Sequence, residues 1–97
     1  MKFELNFVQS AIEDLDYYKV REQRIILDAI EGFLRSEANI PSKKRKQLRA
    51  DPLAPWELRI GYYRVFYEIK PEARVRVLAI GHKAHNELII RGQRVEI

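Results

Sequence analysis

Alternating apolar and polar residues mark three consecutive strands in the second half of the chain. The alternation runs through Trp56–Ile60, Tyr62–Ile69 and Arg74–Ile80. Since a period of two sends successive side chains to opposite faces, each run is typical of a half-buried strand. The connections, Gly61 and Lys70–Ala73, are turn-like. Three strands joined so closely predict an antiparallel meander.

The two faces of this meander differ in polarity. One face would carry apolar and aromatic side chains from all three strands: Trp56, Leu58, Ile60, Tyr63, Val65, Tyr67, Ile69, Val75, Val77 and Ala79. The other face would carry mostly charged ones: Glu57, Arg59, Arg64, Phe66, Glu68, Arg74 and Arg76. We therefore expect helices to cover the first face and functional residues to lie on the second, which has arginines in its middle.

The first half of the chain predicts a strand and two helices. Lys2–Phe7 alternates like a strand, and apolar residues then recur at helical spacing from about Ser10 to Tyr18. Ser10 and Glu13 have the spacing of a capping box at the start of that helix. A longer helix is predicted over Val20 to Ala38, before a proline stops it.

The remaining segments complete the predicted fold. Ser42–Pro55 is a polar connection, His82–Asn86 is interpreted as a loop, and Leu88–Ile90 and Val95–Ile97 are predicted as short strands. The whole predicts one α+β domain over residues 1–97. It has an N-terminal strand, two helices, then an antiparallel three-stranded meander forming one small sheet with helices on one face. The first strand is expected to pair within the same sheet.

Composition narrows the functional classes. The chain has no cysteine, which excludes disulfides and thiol chemistry, and no apolar run long enough to cross a bilayer. We therefore expect a cytoplasmic protein without membrane contact. The net charge is +4, and the segment 43–49, KKRKQLR, is almost wholly basic. Such a run favours nucleic acid or an acidic protein as partner; a merely solubilising surface is the alternative.

Two motifs in the meander form a familiar combination. The first is W-x-L-R-x-G-x-Y-R-V-x-Y over residues 56–67, and the second is V-x-V-L-x-I-G-H-K over residues 75–83. With the strand–helix–helix–sheet order and the basic run before them, they resemble the RelE/ParE superfamily of toxins from type II toxin–antitoxin systems. The resemblance covers nearly the whole chain.

This resemblance implies a RelE-like fold and one of two activities. RelE-like members cut mRNA in the ribosomal A site without a metal, whereas ParE-like members poison DNA gyrase and are not nucleases. Both are neutralised by a small antitoxin encoded in a neighbouring gene. We expect the RelE-like activity, on ribosome-bound mRNA and with no cofactor or metal. The alternatives are gyrase inhibition, or a degenerate toxin that retains only antitoxin binding.

Five residues are candidates for the cleavage chemistry. The attacking 2′-oxygen must lose a proton, the leaving 5′-oxygen must gain one, and the phosphoryl charge needs cations. Arg64 matches the sheet arginine of RelE-like toxins and would bind the phosphate. Arg59 would clamp the RNA backbone, and Glu57 would act as a base or pair with Arg64. His82 and Lys83 stand where the family has its second basic or acid–base group, and His82 is preferred as the acid.

A second set of residues would bind RNA or the ribosome. It consists of the basic positions Lys43, Lys44, Arg45, Lys46 and Arg49, together with His85. The sequence also departs from the RelE-like pattern. No tyrosine follows Tyr67, although many RelE-like nucleases have one near the position of Leu88–Ile89, and Glu57 and Arg59 replace their lysines. The alternatives for this sequence are slow cleavage, cleavage that uses His82 instead, and no cleavage.

Overall fold

The computed structural model describes residues 2–49 and 53–96, which form two helices and seven strands. The elements are β1 Glu4–Phe7, α1 Gln9–Asp16, α2 Val20–Leu34, β2 Arg45–Gln47, β3 Trp56–Ile60, β4 Tyr63–Lys70, β5 Arg74–Ala84, β6 Glu87–Ile90 and β7 Gln93–Val95. Strands β2 to β7 lie side by side in chain order, and β1 pairs with β5 in parallel. The predicted α+β fold is confirmed, with more strands in the sheet than the predicted meander.

Both helices differ in extent from their predicted bounds. Helix α1 begins at Gln9, and Val8 rather than Ser10 occupies the N-cap. Helix α2 ends at Leu34, because the chain there turns onto the sheet: the Arg35 carbonyl accepts the Phe3 amide of the segment entering β1. Within the described ranges, neither helix has the length and apolar character needed to cross a membrane.

The main core lies between the helices and one face of the sheet, which we call the helix face. Most of its buried residues come from both helices and from β3, β4 and β5, and three come from segments outside the helices and strands: Ala11, Leu15, Ile26, Ile30, Leu34, Trp56, Leu58, Tyr63, Val65, Tyr67, Val75, Val77 and Ile80, with Phe3, Tyr18 and Ala38. This is the apolar face that the alternation predicted, except at Ala79. Burial of these side chains stabilises the helix–sheet packing.

A β-bulge in β5 explains the exception. Phe66 pairs with Ala79 and Tyr67 pairs with Val77, so Leu78 has no partner on β4. One extra residue inverts the alternation for the rest of the strand. Ala79 therefore faces away from the helices.

The opposite side of the sheet, which we call the open face, is partly covered. Phe66, Ala79 and Leu88 form a second apolar cluster there with Ala54, packed against Leu48 and Leu53 of the long connection. Phe66 is fully buried in this cluster. The open face is therefore apolar in the middle, with its charged residues around that cluster.

The C-terminal part of the chain has more residues in β-strands than the sequence predicted. Strand β5 continues through His82 and Lys83 to Ala84, because residues 82–84 pair with β6. The predicted loop shrinks to a turn in which His85 and Asn86 have positive φ. The predicted strands after it form the β6–β7 hairpin, and Ile97 lies outside the described residues.

Candidate functional site

Strands β3 and β4 bring three charged residues together on the open face. Arg59 pairs directly with Arg64 across the two antiparallel strands, and directly paired residues share a face. Glu57 lies two residues before Arg59 on the same face, beside the buried Phe66. The alternation in the sequence predicted this grouping.

The Glu57 carboxylate lies between the two guanidinium groups. Its Oε1 is 2.8 Å from Arg59 Nε, and its Oε2 is 3.9 Å from Arg64 Nε. Only 4% of the Glu57 side chain is exposed, against 14% for Arg64 and 47% for Arg59. One buried carboxylate thus holds two like charges near each other, and one of the two is accessible to a ligand.

Arg64 is held in place by the backbone, but its hydrogen bonding is incomplete. One terminal nitrogen donates to the carbonyl oxygens of Gly61 and Tyr63, at 2.8 and 2.9 Å. Its Nε is buried without a hydrogen-bond acceptor. Burial lowers the pKa of the guanidinium, with the Glu57 charge opposing this. An unpaired buried donor costs roughly 1–3 kcal/mol, so a side-chain rotation that gives Nε an acceptor would be favoured.

Lys83 joins this face from β5. Gly81 pairs with Arg64, and Lys83 follows two residues later on the same face, about 7 Å further along the strand. Lys83 also pairs with Leu88 of β6 and is half-buried. The open face therefore carries a row of three cations, Arg59, Arg64 and Lys83, of which the two arginines contact the Glu57 carboxylate.

His82 lies on the other face, which differs from the prediction that it joins Arg64. The bulge at Leu78 turns His82 to the helix face, where it pairs with Tyr63 on β4. Its Nδ1 shares a 2.7 Å hydrogen bond with the Tyr18 hydroxyl. The sequence does not reveal this inversion. Residues 77–80 are all apolar, so the alternation does not show which of them face the helices.

A network of tyrosines surrounds His82. The hydroxyls of Tyr62 and Tyr63 both donate to Glu22 Oε1, at 3.5 and 2.9 Å. The Tyr63 bond lowers the pKa of the Glu22 carboxyl, and burial raises the pKa of Tyr18 and of Tyr63 far above the usual tyrosine value. Tyr18 and Tyr63 are therefore neutral hydrogen-bonding groups at physiological pH, and the bond to Tyr18 fixes the imidazole in position.

The basic segment, residues 43–49, divides into one structural arginine and an exposed set. Arg45 is buried against the helix layer, and its guanidinium donates to the carbonyl oxygens of Ile40 and Phe33. This removes Arg45 from the predicted RNA-binding set. Three other members are exposed along the sheet edge or half-buried opposite Glu57: Lys43, Lys44 and Lys46. Arg49 and the turn residue His85 are exposed as well.

Sequence reasoning missed a buried carboxylate on the edge of β5 that faces away from β4. Asp14 Oδ2 accepts the Ile80 amide at 3.0 Å, in the gap on that edge between the residues that pair with β1 and those that pair with β6. Its Oδ1 is 2.8 Å from Arg91 Nε in the β6–β7 turn. Desolvation raises the pKa of Asp14, and Arg91 opposes it. The helical spacing could have predicted this burial, because Asp14 lies within the apolar stripe of α1, three residues after Ala11.

No group of three or more metal-ligating side chains occurs within residues 2–49 and 53–96.

The comparisons with known proteins assign the family. Residues 5–87 match the family model described as ParE toxin of type II toxin–antitoxin system, parDE. The chain belongs to this toxin family. A comparison with curated protein sequences gives no match.

Solved toxin structures share the fold of this ParE-family toxin. The toxin–antitoxin complex RelBE2 from Mycobacterium tuberculosis superimposes with a TM-score of 0.72 and 26% identity, over 86% of this chain and 100% of that one. The archaeal RelE–RelB complex from Pyrococcus horikoshii gives 0.67 and 14%, over 88% and 99%. A YoeB/ParE toxin from Agrobacterium tumefaciens gives 0.63 and 21%, over 84% and 100%. The toxin is thus a RelE/ParE superfamily member, as its motifs predicted.

Proposed function

We propose that this toxin is a ribosome-dependent mRNA endoribonuclease that inhibits translation by cleaving phosphodiester bonds without a metal. One observation carries the proposal: a buried carboxylate, Glu57, lies between Arg59 and Arg64 on the open face. Cleavage of RNA needs a proton acceptor and cations close together, and this group supplies both. Action on ribosomes would place the toxin in the cytoplasm.

Each residue of the open face has a distinct role in this proposal. Glu57 takes the proton of the 2′-hydroxyl as the 2′-oxygen attacks the adjacent phosphorus. Arg64 rotates to donate to the phosphoryl oxygens, while the exposed Arg59 binds the RNA backbone. Lys83 protonates the 5′-oxygen as the P–O5′ bond breaks. The products are a 2′,3′-cyclic phosphate and a 5′-hydroxyl, and His82 takes no part from the helix face.

The exposed basic residues would bind the ribosome. Lys43, Lys44, Lys46 and Arg49 follow one edge of the sheet, next to the strand that carries Glu57. Such contacts to phosphates add affinity without sequence preference. A cognate antitoxin encoded in a neighbouring gene is the other expected partner, since the neighbours RelBE2 and RelE–RelB are toxin–antitoxin complexes.

Induction in cells tests this function directly. Wild-type toxin should arrest growth and leave transcripts cut at discrete positions in primer extension, while Arg64→Ala should abolish both. Arg74→Ala is the matched control, because Arg74 is an exposed arginine at the far end of the same face. Growth arrest with intact transcripts would contradict the proposal.

Gyrase inhibition is the second candidate function, and two observations favour it. The matching family model is that of the ParE toxins, and His82, the imidazole predicted to act as the acid, lies on the opposite face. If gyrase is the target, induction should inhibit supercoiling and damage DNA while translation continues. A chain that leaves cells unaffected would instead be a degenerate toxin that binds only its antitoxin.

A further inference from the structure

A small cavity, open to solvent, lies on the β6–β7 hairpin beside Lys83. We propose that this cavity binds one nucleobase of the RNA, next to the phosphate held by Arg59 and Arg64. The proposal rests on the proposed RNA substrate and adds a base-binding subsite to it. The cavity measures about 260 Å³ and is formed by residues from the end of β5 to the end of β7: Lys83, Asn86, Glu87, Leu88, Arg94, Val95 and Glu96.

The floor of the cavity is apolar. Leu88 and Val95 pair directly across the hairpin and share the open face with Lys83. Leu88 is buried, and Val95 packs against the same apolar cluster. The half-buried Val95 provides apolar surface against which the face of a planar base can lie, and the buried Leu88 supports Val95 from below.

The rim of the cavity is polar but electrically balanced. It has two cations, Lys83 and Arg94, and two carboxylates, Glu87 and Glu96; Arg94 is 2.8 Å from Glu87. A phosphate would require an excess of positive charge. The edge of a base is neutral and carries both donors and acceptors, which a mixed rim can satisfy. The charge balance therefore favours a base over a phosphate.

The cavity is continuous with the charged row. Lys83 belongs to both, since it lines the cavity and lies on the open face two residues from Gly81, the partner of Arg64. An RNA strand with one phosphate at Arg64 can thus place a neighbouring base in the cavity, between Lys83 and Val95. The family model ends at residue 87, so most of the cavity lies in a hairpin that the family match does not include.

The hairpin is held in one position, so the cavity is formed before any ligand arrives. Arg91 in its turn contacts two carboxylates of α1, with Nε 2.8 Å from Asp14 and a terminal nitrogen 3.1 Å from Glu13. At the other side, Gly81 allows the β6 backbone at Ile89 to approach β5 closely. A preformed site loses less entropy on binding than a flexible one.

Nucleotide titration of the full chain tests the proposal. In amide NMR spectra, AMP, GMP, CMP and UMP should perturb Leu88 and Val95, and ribose 5-phosphate should not. Val95→Phe fills the cavity without changing charge and should weaken nucleotide binding roughly tenfold, equivalent to about 1.4 kcal/mol. Val20→Phe, at an exposed valine on α2, should bind as the wild type does. Equal shifts with ribose 5-phosphate would overturn the base assignment.

Cleavage mapping separates this proposal from the proposed function. If both hold, Val95→Phe and the rim variant Glu96→Gln should change which nucleotide is preferred beside the cleaved bond. Cleavage with unchanged preference in both variants would overturn the subsite and leave the nuclease standing. Absence of cleavage, together with nucleotide shifts at Leu88 and Val95, would remove the nuclease and support the base site. Glu96→Gln changes an exposed side chain and keeps the test valid if Val95→Phe fails to fold.

Discussion

At the scale of single residues, the open face depends on one carboxylate that lies between two arginines. Glu57 is buried between Arg59 and Arg64, and charged groups are rarely buried without such partners. Alternation along the strands was sufficient to predict this grouping. It was not sufficient for Arg45, whose burial depends on carbonyl oxygens of the α2 region that are distant in sequence.

The Glu57→Gln variant separates proton transfer from RNA binding. It removes the proposed proton acceptor but keeps the shape of the side chain, so the cleavage rate should fall about 100-fold or more. RNA binding should hold or tighten, because the two guanidiniums lose their countercharge. Single-turnover cleavage and RNA-binding titrations measure the two effects. The control is Glu68→Gln, near Arg76 on the same face, and an unchanged cleavage rate in Glu57→Gln would exclude Glu57 as the base.

The Arg91→Gln variant tests the buried carboxyl of Asp14. Burial already raises the pKa of Asp14, and Arg91 opposes that shift, so removing Arg91 should raise the pKa further. When a carboxyl has a higher pKa in the folded than in the unfolded state, the free energy of unfolding falls as pH rises from the unfolded-state pKa to the folded-state pKa. The variant should therefore be less stable at pH 7 by roughly 1–3 kcal/mol, and nearly equal to wild type when Asp14 is protonated.

Denaturant unfolding at acidic and neutral pH measures this difference. Arg94→Gln is the control, because its partner Glu87 is exposed and exposed ion pairs contribute little. The same loss of stability for Arg91→Gln at both pH values would mean that the Asp14 charge is not the cause.

At the scale of elements, one bulge determines which chemistry each face can perform. Leu78 has no partner on β4, and every later residue of β5 therefore faces opposite to its expected side. This moves His82 onto the helix face, beside Tyr18, and Lys83 onto the open face. The strand itself was predicted from its alternation. The bulge was not, because an apolar run fits either face and leaves the register undetermined.

The Gly81→Ala variant tests how closely β6 approaches β5. A methyl group at this position would overlap the carbonyl oxygen of Ile89 and lie 2.8 Å from Ile90 Cγ1. The hairpin must then shift, and such overpacking costs about 1–3 kcal/mol. Thermal and denaturant unfolding measure the loss, and nucleotide binding at the cavity should weaken with it.

Gly32→Ala is the matched control for that variant. Gly32 lies within α2, with nothing within 4 Å of an added methyl group, so the substitution should stabilise the protein by about 0.5–1 kcal/mol. Equal stability of Gly81→Ala and wild type would show that the strands can separate without cost.

At the scale of the whole molecule, exposed positive charge is concentrated along the β2 edge of the sheet and the adjoining part of the open face. The exposed lysines of the basic segment continue from the sheet edge toward Glu57 and Arg59, while the helices carry mixed charge. The sequence predicted the α+β architecture and the helix-covered face because hydrophobic periodicity reports directly on burial. It could not predict the hairpin cavity, which depends on how two short strands pack onto β5.

The salt dependence of RNA binding reports on this charged side. Binding to single-stranded RNA should weaken as salt rises from about 50 to 200 mM, because each neutralised phosphate releases counterions. Replacing Lys43 and Lys44 with alanine should reduce the slope of log K against log salt by about 1.4. Replacing Arg21 and Arg24, which are exposed on α2, should leave the slope unchanged. If both double variants reduced the slope equally, RNA would be binding over the whole surface and not at the basic segment.

The termini of RNA produced on purified ribosomes test the account most directly. With toxin present, the open-face chemistry predicts ribosome-bound mRNA cut to a 2′,3′-cyclic phosphate and a 5′-hydroxyl. It also predicts no cut with Arg64→Ala, or at a site carrying a single 2′-deoxynucleotide. Intact mRNA with the wild-type toxin, or equal cleavage at the 2′-deoxy site, would contradict it.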